Sequence, residues 1–160
     1  MKMKKYIITG GSGFIGTNLI LFLLKKKMKI LNLDNLSYAS NTYLNRISNK
    51  NYSFKKIDLS KCKISKLKKI IFQFDPDFII NLAANSHVDN SIKNPLEFVK
   101  SNIDTTLNIL TSIKDQKKVK FVQIGTDEIY GEIKKNEKKV FNENSKFFPS
   151  SPYSASKASC

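Results

Sequence analysis

Apolar residues fall along this chain in short extended runs separated by longer amphipathic stretches. Tyr6 to Ile8 is a β-branched and aromatic run, followed by Thr9 and by three glycines at every third position, Gly10, Gly13 and Gly16. A long apolar segment comes next, so the opening reads as strand, tight turn, helix. The spacing predicts a first helix from Gly13 to Lys27, with Phe14, Ile15, Leu19, Phe22 and Leu23 on a broad apolar face. Met28 to Leu33 predicts a second strand ending at Asp34, and the Asn- and Ser-rich stretch Leu36 to Asn51 predicts a loop with a short helix. Tyr52 to Asp58 alternates apolar and polar residues, which is strand periodicity. A helix from Lys61 to Phe74 follows, then the turn Asp75-Pro76-Asp77 and the near-continuous apolar run Phe78 to Ala84, of the kind found in buried parallel strands. Asn94-Pro95-Leu96-Glu97 reads as a helix start, with Asn94 as N-cap, Pro95 at the first helical position and Glu97 completing a capping-box arrangement. Leu96, Val99, Ile103, Leu107 and Leu110 then recur on one helical face to Lys114. Val119 to Gly125 predicts a fifth strand, after which a lysine-rich loop runs through Pro149. Five βα units without an internal repeat predict an α/β fold: a doubly wound parallel sheet with right-handed crossovers, forming one domain over residues 1–160.

The glycines carry the first chemistry. A backbone that approaches a pyrophosphate needs glycine, because a Cβ blocks the approach and some turn positions need φ > 0. The helix that follows aims its unpaired N–H groups and a partial positive charge at the same spot. The GxxGxxG spacing is similar to that of short-chain and extended short-chain dehydrogenases, which makes a Rossmann-like dinucleotide site the expectation; a glycine turn without a ligand is the alternative. Asp34 stands roughly 20 residues beyond the glycines, where an acid accepts hydrogen bonds from adenosine ribose hydroxyls and repels the extra phosphate of NADP. No arginine adjoins it, so NAD is the expected cofactor; a turn residue or helix cap is the plainer reading. Asp58 is open to two roles, capping the next helix or holding the adenine ring. Near the end, Tyr153 and Lys157 are spaced i, i+4, which puts them on one helical face and lets the ammonium ease deprotonation of the phenol. A tyrosine of ordinary pKa about 10 could then serve as a base near neutral pH.

Composition narrows the rest. The formal charge of +15 invites a nucleic-acid partner, but the lysines are dispersed over loops and helix ends, and Arg46 is the only arginine. Nucleic-acid binding is therefore disfavoured. Leu19 to Leu24 is the longest unbroken apolar run, against the roughly 20 residues of a membrane span. With no signal-peptide core after the basic start, the expectation is a cytoplasmic protein with no membrane partner. Cys62 and Cys160 match no metal or redox spacing, so free thiols and no metal site are expected.

Three further stretches belong together. Thr126-Asp127-Glu128-Ile129-Tyr130-Gly131, with Ser86-His87-Val88-Asp89 upstream and Ser150-Ser151-Pro152-Tyr153 downstream, closely resembles dTDP-glucose 4,6-dehydratase, and Leu33 to Ala39 matches that family's cofactor loop. The resemblance runs over essentially the whole chain. Related sugar-nucleotide epimerases share the glycines and YxxxK but usually carry small residues in place of the Asp127-Glu128 pair, for which a solvated loop pair is the bland reading. The resemblance implies that Tyr153 takes the proton of the sugar 4-hydroxyl while NAD accepts a hydride, with Thr126 hydrogen-bonding that hydroxyl. Glu128 would then remove the carbon 5 proton, Asp127 would protonate the departing 6-hydroxyl, and the hydride would return to carbon 6. One carboxyl must be ionised and its neighbour protonated for this division of labour.

By the same resemblance Gly10, Gly13, Phe14, Ile15 and Gly16 hold the pyrophosphate, and Asp34, Asn35, Leu36 and Ser37 the adenosine ribose. Asp58 and Leu59 contact the adenine. Leu82, Ala83, Ala84 and Ser101, with Tyr153 and Lys157, line the nicotinamide half, although the family more often has threonine at position 101. Ser86 and Thr126 touch the substrate, dTDP-glucose, and the role of His87 stays open. The family is homodimeric and roughly twice as long. The chain is thus expected to be a fragment, truncated after the fifth strand and the start of the catalytic helix, without the C-terminal region that supplies most substrate contacts. A related epimerase or decarboxylase and a non-catalytic NAD-binding remnant are the alternatives.

Overall fold

The structure is a computed structural model and describes residues 3–41, 43–44, 47–133, 138 and 140–160. Arg46 and most of the lysine run Lys134 to Lys139 lie outside the described residues. The chain divides into two compact units, Met1–Ala83 with Asp104–Ile124, and Ala84–Ile103 with Gly125–Cys160.

The first unit holds a sheet of five parallel strands, β1 (Lys5–Thr9), β2 (Lys29–Asp34), β3 (Tyr52–Lys56), β4 (Phe78–Asn81) and β5 (Lys120–Gln123), in the order β3-β2-β1-β4-β5. The chain moves outward from β1 to β3 and then returns to pair β4 with β1. That reversal creates a switch point beside the carboxyl end of β1, where open α/β sheets bind ligands. Pairing sets Ile7 beside Leu31 and Ile79, and Ile8 beside Asn32 and Ile80. Because side chains alternate across a strand, these two rows face opposite sides. Ile7, Leu31, Leu33 and Ile79 pack with Leu67, Ile70 and Ile71 of α2 (Ile64–Phe74) and with Ile109 and Ile113 of α4 (Pro95–Ile113). Ile8 and Ile30 pack instead with Ile20 and Leu23 of α1 (Phe14–Lys25). The sheet is therefore covered on both faces, the doubly wound, Rossmann-like arrangement predicted by the pattern.

The second unit contains α3 (Val88–Lys93), the first turns of α4, a short 3-10 turn (Asp127–Tyr130) and α5 (Pro152–Ser159). Helix α3 has no counterpart in the sequence reading, and Asn94, expected as the N-cap of α4, also closes α3 through its N–H to the Asn90 carbonyl. No helix among the described residues is long and apolar enough to cross a membrane.

Two predicted helix faces hold only in part: Leu23 is buried and Leu19 packs against the core as expected, but most of the residues named with them are not buried. On α1 the buried residues are Gly16, Thr17, Ile20 and Leu23, whereas Phe14 is 84% and Ile15 62% exposed, and Phe22 is also exposed. The helix is apolar nearly all round, so hydrophobicity alone does not choose a face. The close approach of Gly16 to the preceding turn chooses it, and Ile20 and Leu23 follow at i+4 and i+7. On α4 the buried side holds Phe98, Asn102, Thr105, Thr106, Ile109, Ser112 and Ile113, while Leu96, Leu107 and Leu110 are 83%, 56% and 41% exposed. The inward face is chosen by small polar groups that find partners, such as Thr106, whose Oγ1 accepts from Asn81 Nδ2 at 3.3 Å. Such a face is invisible to an apolar pattern.

Candidate functional site

The glycine turn lies between β1 and α1. Gly10 has φ +65°, and a Cβ there would stand 2.7 Å from the Ala83 backbone; a Cβ on Gly16 would stand 2.5 Å from the Gly10 carbonyl oxygen. Both glycines are therefore required by sterics, and the turn is drawn tight against both α1 and the segment after β4. Gly13 occupies the N-cap position of α1, which no side chain caps and whose first turn carries no acid. The leading N–H groups of a helix lack intrahelical acceptors. Phe14 and Ile15, exposed at this helix start, leave that end open to an anion. A cradle that any Cβ would fill, closed by an uncapped helix N-terminus, fits a pyrophosphate.

Asp34 is buried at the end of β2. Its Oδ2 accepts from the Ser12 N–H at 2.9 Å, and its Oδ1 accepts from the Leu36 N–H at 2.8 Å and the Ser40 hydroxyl at 3.3 Å. The carboxylate is thus a turn-holding group in its own right. A carboxylate offers about four lone-pair sites, so capacity for a ribose hydroxyl remains. Leu36 is held in the left-handed region at φ 57°, and Asn35 Oδ1 accepts from the Ser37 N–H at 3.0 Å, so residues 35–37 form a compact loop. Asp58 does not cap α2. That helix starts after Lys63 with no side-chain cap, while Asp58 Oδ1 accepts from the Ser60 N–H at 3.1 Å and hydroxyl at 2.7 Å. Leu59 is buried, its carbonyl accepting from Asn108 Nδ2 at 2.8 Å. The run 78–84 ends as a strand at Asn81, although the Leu82 N–H still donates to the Thr9 carbonyl at 3.1 Å. A polar row then holds this end: Thr9 Oγ1 donates to Asn81 Oδ1 and accepts from the Ala83 N–H at 3.3 Å, and Asn81 Nδ2 reaches Gln123 Oε1 at 2.8 Å.

In the second unit, Thr126, Asp127, Glu128 and Tyr153 come together. Thr126 is the N-cap of the 3-10 turn, accepting from the Glu128 N–H at 3.4 Å, and Asp127 and Glu128 are exposed in its first turn. Tyr153 and Lys157 are both buried on α5. Burial pushes the Tyr153 phenol above the ordinary tyrosine value of 10.0; a hydrogen bond with Thr126 works against this, and the charges of Glu128 and Asp127 add to it. This corrects the expected direction: without a ligand, burial and the acid pair outweigh any help from Lys157. Burial also lowers the Lys157 ammonium below 10.5, opposed by the charge at Cys160. Ser86 and His87 are exposed before α3, Ala84 and Ser101 are half-buried, and both cysteines are free thiols.

The sequence reading missed the residues that seat α5. Ser151 and Ser154 form a reciprocal capping box, Pro152 has no N–H to satisfy, and the Tyr153 N–H donates to the buried Ser91 hydroxyl at 3.2 Å. Asn102 Nδ2 donates to Ser156 Oγ at 2.9 Å, and its Oδ1 accepts from the Asn85 N–H at 2.8 Å. No local pattern marks Ser91 or Asn102, because their burial depends on partners 62 and 54 residues away in the chain.

A parallel, doubly wound sheet with a GxxGxxG turn after β1 and a Tyr-x-x-x-Lys helix defines an extended short-chain dehydrogenase fold. Comparison with known proteins agrees. The profile of the family described as GDP-mannose 4,6 dehydratase matches residues 7–160. The dTDP-glucose 4,6-dehydratase of Haemophilus influenzae is 39% identical over 98% of this chain and 49% of its own length. The dTDP-glucose 4,6-dehydratase of Streptomyces venezuelae, solved with NAD and TYD bound, superposes with TM-score 0.86 at 31% identity over 97% of this chain and 48% of that one. The UDP-Glc/GlcNAc 4-epimerase of Campylobacter jejuni gives TM-score 0.85 at 30% identity over 98% of this chain and 46% of that one. The chain belongs to the GDP-mannose 4,6-dehydratase family. It matches the N-terminal part of dTDP-glucose 4,6-dehydratases and spans about half the length of these curated relatives.

Proposed function

We propose that this chain carries the NAD-binding and catalytic segment of a dTDP-glucose 4,6-dehydratase, a lyase that forms dTDP-4-keto-6-deoxyglucose for deoxysugar synthesis of the rhamnose type. The observation that carries the reading is the acid pair Asp127-Glu128 on a turn capped by Thr126 and interacting with the phenol of a buried tyrosine. NAD, when bound, supplies oxidation at sugar carbon 4 and reduction at carbon 6. Gly10, Gly13, Gly16 and the N–H groups of Phe14 and Ile15 hold its pyrophosphate. Asp34, Asn35, Leu36 and Ser37 take the adenosine ribose, Asp58 and Leu59 the adenine, and Leu82, Ala83, Ala84 and Ser101 the nicotinamide half.

Thr126 holds the sugar 4-hydroxyl and Tyr153 takes its proton, with Lys157 supporting the phenolate. The buried phenol resists ionisation, so it can act as this base only where positive charge, supplied by the oxidised cofactor when bound, offsets the burial. Glu128 removes the proton from carbon 5, Asp127 delivers one to the departing 6-hydroxyl so that water leaves, and Glu128 returns its proton to carbon 5 when carbon 6 is reduced. Ser86 contacts the sugar nucleotide. The superposition on a 4-epimerase favours a second reading, epimerisation, which would need no acid and base at carbons 5 and 6 and so leaves Asp127-Glu128 without work.

Use of a cytoplasmic cofactor and sugar nucleotide supports a cytoplasmic location, the dispersed lysines argue against a nucleic-acid partner, and no membrane partner is proposed. The exposed stripe Leu96, Leu107 and Leu110 on α4 supports a homodimer. The test is conversion of dTDP-glucose in the presence of NAD, followed by formation of the 4-keto product. Glu128→Gln is expected to lower the rate about 10²- to 10⁴-fold, the range for loss of a general base. Turnover that survives this change, or a 4-epimerised product, refutes the assignment. NAD uptake with no turnover removes its catalytic half.

A further inference from the structure

Ser12 sits inside the glycine turn, buried, with all three of its polar groups engaged. Its N–H donates to Asp34 Oδ2 at 2.9 Å, its carbonyl accepts from the Asn41 N–H at 2.6 Å, and its hydroxyl accepts from Asn32 Nδ2 at 3.2 Å. Asp34 ends β2 and Asn41 lies seven residues further on in the segment leading to β3, and the stretch between them is closed internally by Asp34 Oδ1 on the Leu36 N–H and Ser40 hydroxyl. Both ends of the 34–41 stretch therefore fasten to a single residue of the glycine turn. The third fastening comes from below. Asn32 is a fully buried amide in the centre of β2, and its Nδ2 also donates to the Tyr52 hydroxyl at 3.1 Å on β3. Its Oδ1 has no hydrogen-bond partner among the described residues, and a Cβ on Gly11 would approach it to 2.3 Å. A buried amide oxygen without a partner costs stability. Its retention against the turn is consistent with a placement role rather than a contribution to folding alone.

We propose that Ser12 is a positioning residue that locks the phosphate-side turn to the ribose-side loop, so that both parts of the adenosine diphosphate site are set as one unit before the cofactor arrives. Preorganisation of this kind raises affinity by removing the ordering cost from the binding step. The inference rests on the NAD reading given above. Deleting the hydroxyl in Ser12→Ala leaves its N–H and carbonyl in place but frees the turn from Asn32. NAD titrated calorimetrically well below the unfolding temperature should then bind about three- to tenfold more weakly, the size of one net hydrogen bond.

Without ligand, the Asn41 amide should exchange with deuterium about three- to tenfold faster by the same measure, while the Ile8 and Leu31 amides on the strands beneath stay unchanged. Ile79→Val serves as the comparison, since it loosens the core of the same unit without touching either loop. Weaker NAD binding and faster Asn41 exchange in Ser12→Ala, with both unchanged in Ile79→Val, support the lock. Unchanged binding and exchange in Ser12→Ala, or equal effects in Ile79→Val, overturn it. An unaltered chain that takes up no NAD overturns the cofactor reading and with it this role. The Asn41 exchange rates then tell that failure apart from the absence of any coupling between the loops.

Discussion

Replacing Gly10 with alanine tests how tightly the glycine turn is built. An L-residue at φ +65° pays roughly 1–2 kcal/mol for the left-handed conformation. The new Cβ would also stand 2.7 Å from Ala83 Cα and N and 2.8 Å from the Leu82 carbonyl carbon, all backbone atoms that cannot rotate away. Overpacking of this kind costs about 1–3 kcal/mol. Gly10→Ala should therefore lose about 2–5 kcal/mol in total, a large share of the roughly 5–15 kcal/mol that holds a domain together. Gly125→Ala is the internal reference: nothing lies within 4 Å of its Cβ, and the change should stay within about 0.5 kcal/mol. Urea unfolding followed by far-ultraviolet circular dichroism reads both. With a slope of about 1–3 kcal/mol per molar, Gly10→Ala should move the midpoint down by about 1 M or more. Equal midpoints for the two variants would refute the close approach of the turn to the segment after β4.

Three other changes have definite signs. Ser112 carries a buried hydroxyl without a hydrogen-bond partner among the described residues, so Ser112→Ala should raise stability by about 1 kcal/mol in the same unfolding assay. Lys157 has its ammonium disfavoured by burial, so its folded pKa lies below the unfolded 10.5. The stability linked to this group is present above pH 10.5 and is lost as pH falls through the folded value; Lys157→Met should therefore be the more stable protein at pH 7, with the gap closing at alkaline pH in thermal melts. Leu107→Lys, placed on the exposed stripe of α4, should abolish concentration-dependent association in sedimentation equilibrium without changing the circular dichroism spectrum.

The strands were legible because their signal is local. β-branched runs punctuated by Gly10, by the Asp75-Pro76-Asp77 turn and by acids at strand ends mark β1 to β5 within a few residues. The glycines and the Tyr153 and Lys157 pair were legible for a similar reason, since sterics and helical spacing tie residue type to place. The buried faces of α1 and α4 were not. Leu19 to Leu24 makes α1 apolar on every side, and the inward face of α4 uses Asn102, Thr105, Thr106 and Ser112, whose burial depends on partners distant in sequence. Ser12, Asn32 and Ser91 escaped for that reason: a buried polar residue is recognised only once its partner is in place. The direction of the Tyr153 shift also needed the fold, because its causes are burial and the approach of Thr126, Glu128 and Asp127.

Calorimetric titration of the chain with NAD and, separately, with NADP tests the central assignment most directly. Saturable binding of NAD with much weaker binding of NADP is the predicted result, since Asp34 repels a 2′-phosphate and no arginine adjoins it. Equal affinity for the two, or no heat with either, would contradict it.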